Sequence, residues 1–159
     1  MTRDVASFAS HTDTVCTMCV SSEDEHVAGA CAPMGEDAPF FSIVMPCYGV
    51  EAYIGQALEC ILKQTERSWD LIVVDDATPD ASALIAERAA AGDARIRVVH
   101  HERNLGLSGA RNTGISQARG EYVWICDPDD TYESDVLSRA RLALEHSHAD
   151  VCLFGYCEE

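Results

Sequence analysis

Lysine is nearly missing from this chain. Only one of its eleven basic residues is a lysine, Lys63, and 27 acidic residues face those eleven, giving a formal charge of −16 over 159 residues. A surface this negative repels phosphate backbones, which excludes sequence-independent nucleic-acid binding. A small anion remains acceptable if a cation or a local arginine neutralises it. Also missing is any apolar run near the ~20 residues that a membrane span needs. The first twenty residues hold neither a basic region nor an uninterrupted apolar stretch, so no signal peptide is read and the chain is expected in the cytosol. Thiols stay reduced in that compartment, so the eight cysteines are read as free rather than as a disulfide scaffold. Cys47, Cys60, Cys126 and Cys152 fall on apolar elements and read as small core residues.

What is present is an ordinary globular composition, 47% hydrophobic and 24% charged, at a length suited to one domain or one domain with a tail. Residues 1–39 stand apart. They carry Arg3 against seven acidic residues and show no apolar period, which reads as a disordered acidic leader. Cys16-x-x-Cys19, with Cys31, His11 and His26 nearby, lacks the second close pair of a zinc site. Met34 could serve as a translation start that leaves the following domain, 40–159, intact.

From Phe40 onward, short buried-type apolar runs alternate with helical stripes. Strands are predicted at Phe41 to Met45, Leu71 to Val74, Ile96 to Val99, Tyr122 to Cys126 and Val151 to Tyr156. Helices are predicted between them: one on the stripe Ile54, Leu58, Ile61 and Leu62, and one from Ser82 to about Ala90. A third runs from Ser108 to a stop at Gly120, and a fourth from Glu133 to about His146. This pattern predicts an α/β fold, a Rossmann-like, mostly parallel sheet with helices on both faces.

In such sheets ligands bind beyond the carboxyl ends of the strands. Each of the first four strands here ends in polar or special residues: Pro46-Cys47-Tyr48, Asp75-Asp76, the stretch from His100 to Arg111, and Asp127 to Asp130. Four loops therefore converge on one sheet edge. Asp127 and Asp129, two apart, suit Mg²⁺ or Mn²⁺, which leave ligand positions open for phosphate oxygens. The competing reading is a solvated acidic turn in which Asp130 or Thr131 caps the next helix. Asp75 or Asp76 fits a ribose or base edge, or else turn chemistry. Tyr48 can stack on a nucleobase, or be partly buried core. Arg111, in the first turn of a helix, suits a phosphate, or a surface ion pair. His100 and His101 read as packed or solvated strand-end residues.

The stretches FSIVMPCYGVEAYIGQALECILKQT, WDLIVVDDATPDAS, NLGLSGARNTGISQARGEYVWI and CDPDD, in that order and spacing, resemble the donor-binding half of family 2 glycosyltransferases with the GT-A fold. The resemblance implies transfer of a sugar from a nucleoside-diphosphate donor, UDP-linked by expectation, to a saccharide or lipid-linked acceptor in polysaccharide synthesis. It implies a divalent ion, Mn²⁺ or Mg²⁺, on Asp129 with Asp127 toward the ribose or the metal's water shell. It also implies donor contacts from Pro46, Tyr48, Asp75, Asp76, Asn104 and Arg111, and a cytoplasmic site that can be peripheral at the inner membrane face.

Gly49 and Ala77 depart from the family's usual asparagine and glycine. Only 29 residues follow Asp130, none in the context of the family's catalytic base, so no catalytic residue is assigned. The expectation is a domain truncated after its donor-binding half; the alternative is a nucleotide-sugar-binding domain that does not complete transfer. A receiver-type phosphotransfer module needs a lysine after its last strand, and Lys63 lies before the acidic pair. A haloacid-dehalogenase-type phosphatase lacks its downstream lysine, and a dinucleotide-binding domain lacks G-x-G-x-x-G after strand one.

Overall fold

The computed structural model describes residues 6–8, 16–20 and 38–154. The strands are β1 (Ala6–Phe8), β2 (Cys16–Val20), β3 (Phe41–Cys47), β4 (Trp69–Asp75), β5 (Ile96–His100), β6 (Tyr122–Ile125) and β7 (Cys152–Phe154). The helices are α1 (Ile54–Leu62), α2 (Ser82–Gly92), α3 (Gly106–Ser116) and α4 (Val136–Ser147). The sheet order is β1-β7-β2-β6-β3-β4-β5. Strands β6, β3, β4 and β5 pair in parallel, and β2 enters antiparallel between β6 and β7.

The two strands in the acidic leader were not expected from its composition. The remainder of that leader, including His11, His26 and Cys31, lies outside the described residues. The last strand is displaced from its neighbours by β2, so it does not simply extend the parallel set. Residues 155–159, which the sequence reading partly assigned to that strand, also lie outside the described residues.

The period of two along each central strand sorts its side chains to opposite faces. Phe41, Ile43, Met45, Leu71 and Val73 face one way and pack with Ile54, Leu58 and Ile61 of α1, Ala86 of α2, and Leu137 and Leu144 of α4. Val44, Ile72 and Val74 face the other way, toward Ala110 of α3. Small residues let α3 lie close to the sheet: a Cβ added at Gly114 would sit 2.2 Å from Val44 Cγ1. Cys47, Cys126 and Cys152 are buried, and Cys60 is partly buried.

Helix boundaries moved where distant groups supply the end contacts. α3 starts at Gly106, two residues before the expected Ser108, because the Asp76 carboxylate accepts the N–H groups of Leu105 and Gly106 at 2.7 and 2.8 Å. α3 ends at Ser116, and Gly120 is not its cap. Gly120 lies against β3, where an added Cβ would come within 2.5 Å of the Ser42 nitrogen, and its N–H donates to Ser42 Oγ at 2.8 Å.

α4 begins at Val136 rather than Glu133. Buried Gln64 explains the delay: its Nε2 donates to the Glu133 carbonyl and its Oε1 accepts the Leu137 N–H. Thr65 N–H takes the Ser134 carbonyl. The segment before α4 is thereby fastened to the end of α1.

Candidate functional site

The chain leaves β3 outward through β4 and β5, then returns to the opposite side of β3 with β6. That reversal opens a crevice at the carboxyl ends of β3 and β6, the position where open α/β sheets bind ligands. A cleft of about 510 Å³ occupies it, within the size range of small-molecule sites.

Of the residues singled out by sequence, Pro46, Tyr48, Asp76, Asn104, Asp127 and Asp129 line this cleft. Tyr48 stands on the β3 side, half exposed at 51%. Asp127 and Asp129 stand on the β6 side. Arg111 reaches the site through Asp127, with its Nη2 2.9 and 3.2 Å from the two carboxylate oxygens.

Asp75 is not among the lining residues. It is buried in its own turn, one oxygen accepting the Thr78 N–H at 2.8 Å and the other 2.9 Å from His100 Nδ1. Cys47 and Pro128 also line it, as do Val50, Gly106, Leu107 and Ala110. As apolar or small residues they carry no chemical signature in sequence.

Asp76 is 2% exposed, and three internal donors hold it. Besides the two α3 amides, His101 Nδ1 lies 2.7 Å from Oδ1, while His101 Nε2 lies 2.9 Å from Thr113 Oγ1. Burial alone would raise this carboxyl, but the hydrogen bonds from His101, Leu105 and Gly106 outweigh it and hold the group below the usual range. Asp76 thus stays ionised and caps α3 from another element, with His101 bridging the two. Neither role was legible locally.

The β6 end carries Asp127, Asp129 and Asp130 on one short turn. Partial desolvation and the charges of Asp129 and Asp127 raise the Asp130 carboxyl above its ordinary value. The expected capping by Asp130 or Thr131 does not occur: α4 begins at Val136, with Asp135 at its N-cap and no side-chain cap. Tyr132 instead donates from its hydroxyl to the Asp127 carbonyl at 3.0 Å, bracing the turn.

Among the described residues no three His, Cys, Asp or Glu side chains stand together as a preassembled metal cage. The donor set still fits one class of ion. Mg²⁺-type cations are commonly held by one or two carboxylates, with phosphate oxygens and water filling the other positions. Asp129 faces the cleft beside an arginine-paired Asp127. At the cleft floor, burial and the Asp75 charge push the Cys47 thiol up to about 12, so this lining cysteine is not a thiolate.

An open parallel sheet with its cleft at the β3/β6 reversal and carboxylates beyond β6 defines an α/β protein of the GT-A type. The model of glycosyl transferase family 2 matches residues 42–157, and the chain belongs to that family. It is 42% identical over 121 residues to the uncharacterized glycosyltransferase EpsJ of Bacillus subtilis, covering 76% of this chain and 35% of that protein. Among solved structures it is similar to TarS of S. aureus in complex with UDP, with a TM-score of 0.64 and 31% identity over 68% of this chain and 32% of the other. It is also similar to the mannosyltransferase PcManGT of Pyrobaculum calidifontis in complex with GDP-Man and Mn²⁺, with a TM-score of 0.62 and 27% identity over 67% and 32% of the two chains. The chain therefore spans about a third of the length of these three proteins. No helix among the described residues is long and apolar enough to cross a membrane.

Proposed function

We propose that this chain forms the donor site of a glycosyltransferase, binding a nucleoside-diphosphate sugar with UDP as its nucleotide. The observation that carries the reading is the polarity of this cleft: an exposed aromatic, Tyr48, on the β3 side and the Asp127–Asp129 carboxylates with Arg111 on the β6 side. A nucleotide has the same two ends. Its base can stack on Tyr48, since aromatic faces accept any base. Its diphosphate then points toward β6, and the ribose lies between, near Asp76 and Asn104.

Asp129, with Asp127, would hold a divalent cation that offsets charge on the diphosphate leaving group, which is Lewis-acid assistance to the departure of the nucleotide. Arg111 adds a fixed positive charge next to that group. The Asp76 carboxylate keeps the 105–106 backbone and the start of α3 in place, so the cleft wall is shaped before ligand arrives. Two structural relatives, solved with UDP and with GDP-Man and Mn²⁺, support a nucleotide-sugar ligand accompanied by a divalent cation. The acceptor class in this proposal, a saccharide or lipid-linked acceptor, rests on the family alone.

A thermal-shift titration with UDP, GDP, CDP and TDP, each with and without Mn²⁺, tests the reading. A ligand at about 100 times its dissociation constant adds ~2.7 kcal/mol, a rise of several degrees at this size. The expected result is a Mn²⁺-dependent rise with UDP that disappears in Asp129→Asn. A cooperative melt unmoved by every pairing would overturn it.

A further inference from the structure

The loop that carries Tyr48 has three consecutive backbone N–H groups, and none is satisfied within its own segment. Gly49 N–H donates to Thr78 Oγ1 at 2.9 Å, Val50 N–H to Ser82 Oγ at 3.1 Å, and Glu51 N–H to Asp80 Oδ2 at 3.0 Å. The acceptors belong to the turn after β4 and, for Ser82, the first residue of α2, about 30 residues away in sequence.

The two hydroxyls are themselves oriented by one group. Thr78 Oγ1 donates to Asp80 Oδ1 at 2.8 Å, and Ser82 Oγ donates to the same oxygen at 2.5 Å. A hydroxyl has one proton and two lone pairs. With its proton committed to Asp80, each must turn a lone pair toward the loop. Glu51 returns the link by accepting the Ala81 N–H at 3.1 Å. Gly49, with φ of +68°, makes the bend that presents the three amides.

Building on the donor reading above, we propose that Asp80 is a positioning residue for the nucleobase, acting through the backbone of residues 49–51 to set Tyr48 at the mouth of the cleft. Asp80 does not line the cleft, whereas Tyr48 and Val50 do. The Tyr48 ring is half exposed, so its place depends on the loop that carries it. The Asp80 carboxyl is held far below the ordinary carboxylate range, chiefly by the Ser82 hydroxyl, with the Thr78 and Glu51 bonds contributing after it. A preorganised aromatic saves the ordering cost that a mobile loop would charge against binding.

The test is calorimetric titration of the full chain with UDP and, separately, pyrophosphate, both with Mn²⁺. In Asp80→Asn an amide N–H₂ competes for the position facing Glu51 N–H, and the clamp opens. The expected result is roughly tenfold weaker UDP binding, with pyrophosphate binding unchanged, because pyrophosphate meets only the β6 end. In a Tyr48→Ala background Asp80→Asn should have no further effect on UDP.

Equal loss for UDP and pyrophosphate, or full additivity with Tyr48→Ala, would overturn the proposal while leaving the donor site standing. A wild-type chain that binds neither ligand would overturn the donor reading itself, and this proposal with it. Should Asp80→Asn fail to melt cooperatively, Thr78→Val removes the Gly49 contact and its link to Asp80 while leaving the Val50 and Glu51 contacts in place. It should then weaken UDP several-fold and spare pyrophosphate; no change in UDP affinity would again refute the role.

Discussion

The Arg111 guanidinium donates from Nη2 to both oxygens of Asp127, at 2.9 and 3.2 Å, so an arginine beside the cleft is paired with one of the two carboxylates that line its β6 side. Both side chains are partly exposed, at 33% and 43%, so the pair is a local charge balance that a ligand can redistribute.

That pairing predicts effects of opposite sign from one substitution. Arg111→Ala leaves Asp127 and Asp129 as an uncompensated negative pair, so Mn²⁺ alone should bind more tightly, as read by electron paramagnetic resonance of free Mn²⁺. The same variant should bind UDP·Mn²⁺ more weakly, because the diphosphate loses a fixed cation. Loss of both affinities together would mean that Arg111 only shapes the turn.

Asp130 supplies a pH dependence whose sign can be worked out. Its folded-state pKa is raised, by desolvation first and by Asp129 and Asp127 after it. A raised carboxyl binds its proton more tightly in the folded state. Its favourable contribution is present at low pH and is lost as pH rises through the raised value. At neutral pH the ionised group opposes folding, so Asp130→Asn should raise Tm there and leave it unchanged in strong acid. Mn²⁺ bound at Asp129 favours ionised Asp130, so metal affinity should climb as pH rises just above the usual carboxylate range. That climb should flatten in Asp130→Asn; an identical profile in the variant would refute the coupling.

Two backbone substitutions should move stability in opposite directions. Ala77, after the buried acidic pair, has φ of +56°, in the left-handed region. A non-glycine residue there costs roughly 1–2 kcal/mol, part of which glycine gives back in chain entropy, so Ala77→Gly should stabilise by up to about 1 kcal/mol. Gly120→Ala places a Cβ within 2.5 Å of the Ser42 nitrogen and 2.7 Å of the Phe41 carbonyl carbon, both backbone atoms that cannot step aside. Overpacking of this kind costs about 1–3 kcal/mol. Urea denaturation should show the first midpoint rising and the second falling, with unchanged m-values.

Much of the architecture is written locally. The strands FSIVM, LIVV and YVWI are short apolar runs buried on both faces, and the stripe of Ile54, Leu58 and Ile61 has the period of a helix lying on one of those faces. Periodicity needs no partner to be legible, because burial on one side or two dictates it directly. The Asp127-x-Asp129 spacing after a buried strand likewise announces a carboxylate pair at a sheet edge. The order of four such loops made the resemblance readable before any coordinates.

What the tertiary structure alone decided are contacts between residues far apart in the chain. Asp76 looks in sequence like a ligand group, yet its carboxylate is already committed to the α3 amides and His101, while its neighbour Asp75 is taken up by the Thr78 amide and His100. Gln64, unremarkable in a polar stretch, delays α4 by three residues. β2 enters antiparallel beside β6 although its segment carries no clear strand period.

Gly120, a stop signal by local rules, is needed for a close approach to β3, and Asp80, one acidic residue among 27, holds the loop of Tyr48. The physical reason is the same in each case. A hydrogen bond or a steric limit between residues tens of positions apart depends on which groups the sheet order brings together. Local propensity carries no term for that distance.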